Sequence, residues 1–169
     1  MVYLITEDRS KYSHLSKDIL IGEVDDVLFY FKDKNEVEFD TETTGLDCHA
    51  SDLIYAQFGD NKNQFVIDLE TIDIQEFKIL LENKLILMQN AKFDLKFLYV
   101  NNITPTKIYD TFLAESVLNM GRLSVRKGLG ALTERYCDVH LNQNIKNSRD
   151  TIELIKRQED VIQYSADDV

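Results

Sequence analysis

Short apolar runs alternate with amphipathic segments along nearly the whole of this chain. Val2–Thr6, Ile19–Ile21, Val37–Asp40, Leu53–Phe58, Gln64–Ile67 and Leu85–Met88 read as strands. Gly59-Asp60-Asn61-Lys62-Asn63 reads as the loop of a hairpin. Helical spacing marks the other segments. Asp25–Lys32 puts Val27, Leu28 and Phe31 on one face. Asp73–Leu81 turns Ile74, Phe77, Leu80 and Leu81 inward, with Asp73 as its cap. Lys92–Val100 carries Phe93, Phe97, Leu98 and Val100 as its apolar residues. Asp110 is placed to cap a helix through Met120, Ser124 another through Tyr136, and Asp160–Val169 forms the last helix. Early strands, one returning later, and then mostly helices predict an α/β fold: a mixed sheet with helices on its faces.

One domain is the expectation for 169 residues with a single proline, Pro105, no Gly/Ser linker and no internal repeat. That length buries a sufficient core without staples. No apolar run approaches the about 18 residues a membrane span needs, and Lys84-Leu85-Ile86-Leu87-Met88 falls well short. The N-terminus lacks the basic flank and long apolar stretch of a signal peptide. Cys48 and Cys137 lie far apart and outside any metal-type spacing, which predicts two reduced thiols in a cytoplasmic protein. The net charge of −11 argues against a long nucleic-acid footprint. Acids gathered around metal ions count in that total but are neutralised by the ions, so a short grip on a chain end stays open.

Acids stand at three of the element ends. In a strand, residues i and i+2 point the same way, so Asp40 and Glu42 share a face where the strand opens into Thr43-Thr44-Gly45. Two such acids repel each other unless cations join them. The bland alternative is that the strand has already ended and both are solvated turn residues. Asn90 and Asp94 are one helical turn apart, directly after an apolar strand. On its own, Asp94 reads first as an exposed surface acid. Tyr164 and Asp168 are also one turn apart and share a face with Val161. An acid on an apolar face implies a partner or a metal, while Tyr164 by itself reads as a core aromatic. Together the four acids offer oxygen ligands for a pair of hard divalent cations, which can cleave a phosphodiester.

At this point the chain resembles a family. Phe39-Asp40-Thr41-Glu42-Thr43-Thr44-Gly45-Leu46, Asn90-Ala91-Lys92-Phe93-Asp94 and Tyr164-Ser165-Ala166-Asp167-Asp168 look like the three exonuclease motifs of the DEDD superfamily. Tyr164, four before Asp168, resembles the tyrosine branch, and the likeness is strongest to the proofreading domain of family A DNA polymerases. Tyr109–Ser116 and Leu129–Tyr136 resemble the family's connecting helices. The resemblance implies a ribonuclease-H-like fold and a 3′–5′ exonuclease that releases nucleoside 5′-monophosphates. It implies Asp40, Glu42, Asp94 and Asp168 as metal ligands and Tyr164 as the residue that orients the attacking water. It implies Thr43 and Leu46 as contacts of the terminal nucleotide, Asn90 as a hydrogen-bonding neighbour and Arg126 as a phosphate contact. The cofactors would be two divalent ions, Mg²⁺ or Mn²⁺. The substrate would be the single-stranded 3′ end of DNA, with RNA open, and the partner a C-terminal polymerase domain.

The chain ends one residue after Asp168, whereas the family's final helix continues, so a domain cut from a longer polymerase is expected. Three other readings stand beside this one. A stand-alone exonuclease similar to ribonuclease D would use the same motifs on RNA. A non-catalytic nucleic-acid or partner-binding module would keep them as a remnant. A phosphatase with Asp40 as nucleophile would need an Asp where Glu42 stands.

Overall fold

The computed structural model describes residues 1–140 and 159–167. The chain opens with β1 (Val2–Ile5), a 3₁₀ turn at Arg9–Tyr12, β2 (Ile19–Gly22) and α1 (Val24–Phe31). β3 (Glu36–Thr43), β4 (Leu53–Gly59) and β5 (Gln64–Asp68) follow. A 3₁₀ turn at Ile74–Phe77 then runs into α2 (Lys78–Asn83), ahead of β6 (Leu85–Met88), α3 (Lys92–Val100) and β7 (Lys107–Asp110). The last described elements are α4 (Thr111–Leu118), α5 (Leu129–Cys137) and α6 (Glu159–Asp167).

The strands form one sheet in the order β2-β1-β5-β4-β3-β6-β7. β3, β4 and β5 make an antiparallel meander, while β6 runs parallel to β3, β7 to β6, β1 to β5 and β2 to β1. The predicted mixed sheet is therefore present, with seven strands rather than six. The added strand, β7, is four residues with no buried position, and so carries little apolar signal.

Alternation along the strands divides the core into two layers. On one face Val37, Phe39, Ala56, Phe58, Phe65 and Ile67 pack beneath α1, α2 and α3. Phe58 is the hinge of this layer, its ring 5.1 Å from Phe39 and 4.9 Å from Phe77. Truncation of so enclosed a ring to alanine costs about 3–5 kcal/mol. On the other face Leu4, Tyr12, Ile54, Tyr55 and Val66 meet Val161, Ile162 and Ala166 of α6.

Local chemistry sets the boundaries. Asp73 accepts from the Gln75 N–H at 2.9 Å, and the four expected inward residues of this segment are buried. Its first turn is 3₁₀ rather than α. Asp110 caps α4 by accepting from the N–H groups of Phe112 (2.9 Å) and Leu113 (3.2 Å). That helix stops at Leu118, because Met120 and Gly121 take positive φ angles. α5 does not start at Ser124. The carbonyls of Arg126 and Lys127 are taken by the Arg135 and Gln89 side chains, and the helix begins only after the extended Gly128. No helix among the described residues is long and apolar enough to cross a membrane.

Candidate active site

β3 does not end at Asp40. It stays paired with β4 through Asp40–Gln57, Thr41–Ala56, Glu42–Tyr55 and Thr43–Leu53, with Ile54 as an extra residue that bulges β4 between the last two pairs. Asp40 and Glu42 are therefore strand residues on one face, both half-buried, rather than solvated turn residues. They extend a column begun by Glu36 and Glu38. Opposite them on β4 stand Gln57 and Tyr55, neither of which brings a positive charge. Farther down the column, burial first, then the nearby charges of Asp60 and Glu36, raises the pKa of Glu38.

Asp94 reaches β3 from the neighbouring connection. Pairing of β6 with β3 stops at Leu87–Glu38, and the chain turns into α3. Asn90 takes a left-handed conformation at φ 60°. Its N–H and that of Ala91 both donate to the Asp110 carboxylate, at 3.1 and 3.0 Å. Asp110 thus clamps the β6–α3 turn while capping α4. The first turn of α3 then carries Asp94, 2% exposed, to Thr41, whose Oγ1 donates to its Oδ1 at 2.6 Å. Burial pushes the Asp94 carboxyl up to about 6. The Thr41 bond opposes that rise and the charge of Asp110 adds to it.

The third segment lies on α6, which packs on the sheet face that bears Asp40 and Glu42. Val161, Ile162, Ser165 and Ala166 are buried and Tyr164 is half-buried. Asp168 lies outside the described residues. Among the described residues, no three His, Cys, Asp or Glu side chains are arranged to hold a metal ion. The donor set suits hard cations nonetheless. Asp40, Glu42 and Asp94 offer only oxygen, the donor type that hard divalent cations prefer.

The predicted substrate contacts fall in different settings. Leu46 is 73% exposed beyond the end of β3. Thr43 is buried on the face away from Asp40, and its hydroxyl donates to the Gly45 carbonyl at 2.7 Å. A Cβ at Gly45 would sit 2.7 Å from Ser51 Oγ, so a larger residue there would have to displace that hydroxyl. Asn90 is exposed on the α3 turn, and Arg126 is exposed before α5.

Three residues of this region were not nominated from sequence: Thr41, Asp110 as a clamp, and Glu115. Glu115 is 2% exposed on α4 and joins it to α5 through Arg135 and through the Tyr136 hydroxyl at 2.9 Å. An acid on a helix that packs was the available signal, the same one that singled out Asp168.

A family model described as 3′-5′ exonuclease matches residues 23–169. The chain is 40% identical over 87 residues to DNA polymerase I of Aquifex aeolicus, covering 51% of this chain and 14% of that protein. It is 30% identical over 155 residues to DNA polymerase I of Borreliella burgdorferi, covering 84% of this chain and 16% of that protein. Among solved structures, Escherichia coli RNase D, described as an exoribonuclease involved in structured RNA processing, superposes with a TM-score of 0.72 at 20% identity. That match covers 100% of this chain and 42% of the other. The ribonuclease-H-like fold expected of the motifs is the fold of this neighbour.

Proposed function

From the membership of this chain in the 3′–5′ exonuclease family, we propose that it removes nucleotides from the 3′ end of single-stranded DNA, as the proofreading domain of a longer, cytoplasmic DNA polymerase. The family assignment makes the chain a 3′–5′ exonuclease, and metal use is implied by the family. The observation that carries the site is the extension of β3 to Thr43, which sets Asp40 and Glu42 side by side on one face of the sheet. The two DNA polymerase I relatives support DNA as the substrate and a polymerase as the domain that follows.

Asp40, Glu42, Asp94 and Asp168 would hold two divalent cations, Mg²⁺ or Mn²⁺, and such ions supply a water of lowered pKa and a stabiliser for the leaving 3′-oxygen. The residues of the chain do the rest. Thr41 holds the Asp94 carboxylate in one orientation by its 2.6 Å bond. Asp110 fixes the turn from which Asp94 springs. Tyr164 directs the attacking water through its hydroxyl and does not act as the base. Leu46, exposed beyond the end of β3, offers an apolar surface to the terminal base, while Thr43 holds the turn before it through its bond to the Gly45 carbonyl. Asn90 and Arg126, both exposed, would supply polar contacts to the nucleic-acid backbone. Hydrolysis of the terminal phosphodiester yields a nucleoside 5′-monophosphate and a chain one residue shorter.

The likeness to RNase D favours one second reading, an exoribonuclease on the same fold. Digestion of 5′-labelled single strands of one sequence, made as DNA and as RNA, separates the two. A ladder descending from the 3′ end, faster on DNA, is expected. Faster shortening of RNA would make the second reading the right one, and shortening from the 5′ end or internal cuts would defeat both.

A further inference from the structure

The face that carries Asp40 and Glu42 also holds two buried polar side chains with nothing to bond. Gln57 is 0% exposed, and neither its Oε1 nor its Nε2 has a hydrogen-bond partner among the described residues. Ser165 is 0% exposed, and its Oγ has none either. An amide buried without partners costs about 1–3 kcal/mol, so native proteins seldom retain one idle. A leucine or methionine at position 57 would fill the same space among Val66, Tyr55 and α6 at no such cost.

Position decides what the pair is for. Gln57 is the direct cross-strand neighbour of Asp40 in the β3–β4 ladder. Directly opposed residues of an antiparallel pair have Cβ atoms about 4.5–5.5 Å apart on the same face, within reach of a Gln side chain. Ser165 follows Tyr164 on α6 and lies in the buried stripe with Val161, Ile162 and Ala166, the side of the helix that packs on β1, β4 and β5. Both orphans therefore occupy the layer between α6 and the sheet. Their polarities are complementary. A hydroxyl can donate to an amide oxygen, and an amide N–H₂ can donate to a carboxylate, which has room for several donors.

We propose that Gln57 and Ser165 are positioning residues that close a hydrogen-bond chain when the site is engaged: Ser165 O–H donates to Gln57 Oε1, and Gln57 Nε2–H donates to the Asp40 carboxylate. The chain satisfies all three orphaned atoms at once. It ties the helix that carries Tyr164 to the strand that carries Asp40 and Glu42, so that water-orienting and metal-holding groups arrive in register. It fixes which Asp40 oxygen is turned toward the ions. The inference rests on the proposed exonuclease site, because it needs Asp40 to be a ligand.

The test compares the wild-type chain with Gln57→Met, Ser165→Ala and the double variant. Three quantities are read: Mn²⁺ affinity by titration, melting temperature, and kcat and KM on single-stranded DNA. Both single variants are expected to lower kcat by about tenfold at near-constant KM, as loss of an outer contact to a metal ligand does. Gln57→Met is also expected to weaken Mn²⁺ binding, and the double variant to be no worse than the weaker single. Variants that melt higher than wild type with kcat and Mn²⁺ affinity unchanged would show two idle polar groups and overturn the proposal. Should Gln57→Met fail to fold, Ser165→Ala, which removes one atom, decides by the same kcat criterion. A wild-type chain that neither binds Mn²⁺ nor shortens DNA would instead defeat the exonuclease site itself.

Discussion

Asp60 and Asp94 stand near opposite ends of β3, and the fold treats them in opposite ways. Asp60, in the β4–β5 hairpin, accepts from the Tyr30 hydroxyl on both oxygens at 3.0 Å and from Lys34 Nζ at 2.5 Å. It also accepts from the N–H groups of Lys62 (2.8 Å) and Asn63 (3.0 Å). Burial alone would raise its pKa, but Lys34, the two N–H groups and Tyr30 outweigh it and hold the carboxyl down to about 2. Asp94 is more deeply enclosed, has the Thr41 hydroxyl at 2.6 Å, faces the charge of Asp110 and is pushed up to about 6. One end of the strand is thus closed by one cation, Lys34, and by neutral donors. The other keeps a carboxylate whose charge the sheet does not neutralise, as a site that recruits cations requires.

Four substitutions test this contrast. Asp94→Asn carries the largest effect: as a proposed metal ligand, its loss should remove several kcal/mol of transition-state stabilisation, and cleavage should fall by about 10³-fold or more. Stability should move the other way. A carboxyl whose folded pKa is raised stabilises the native state only below its unfolded pKa, and that contribution is gone once pH passes about 6. At pH 7 without metal, Asp94→Asn should therefore melt at or above wild type. A lower melting temperature would mean that Asp94 is a structural acid like Asp60.

Tyr164→Phe comes next. If its hydroxyl positions the water as proposed, the substitution should slow single-turnover cleavage by roughly 10²-fold, with melting temperature and Mn²⁺ binding unchanged. Full activity would return Tyr164 to the core as packing.

Asp60→Asn should show the reverse profile, with activity per folded molecule retained and about 2 kcal/mol of stability lost at pH 7. Because the folded pKa of Asp60 is depressed, its contribution is present above its unfolded value near 3.8 and fades as pH falls toward about 2. Denaturation curves of wild type and variant should converge across that window. A constant gap would show that the loss comes from packing and not from the charge.

Thr41→Val is the mildest. It keeps the shape and removes the 2.6 Å bond to Asp94, so metal affinity should weaken by about tenfold. Unchanged affinity would show that burial alone orients Asp94.

Much of the contrast could be read before any coordinates were known. Alternation in β3 predicted which face Asp40 and Glu42 share, and the apolar residues of Lys92–Val100 predicted the helix that carries Asp94; Asn90 sits in the left-handed turn before it. What stayed hidden depends on register. Thr41 points away from the acid pair along its own strand, and only the turn after β6 reveals that Asp94 comes to meet it. Asp110 was legible as a cap, but its second role needs β7 beside β6, and β7 buries too little apolar surface to announce itself. Gln57 reads as an ordinary polar residue in a strand until the ladder sets it opposite Asp40. The start of α5 was misplaced because the side chains of Gln89, distant in sequence, and of Arg135, within the helix itself, hold the carbonyls before it.

The central claim is that the acid-bearing end of β3 hydrolyses 3′ ends through bound divalent ions. Release of labelled 3′-terminal nucleotide from single-stranded DNA, followed with Mg²⁺ or Mn²⁺ and then in excess chelator, tests it most directly, with Asp40→Ala in parallel. The account predicts release of nucleoside 5′-monophosphate by the wild-type chain with either metal, and none in chelator or with Asp40→Ala. Undiminished release in chelator, or by Asp40→Ala with metal present, would contradict it.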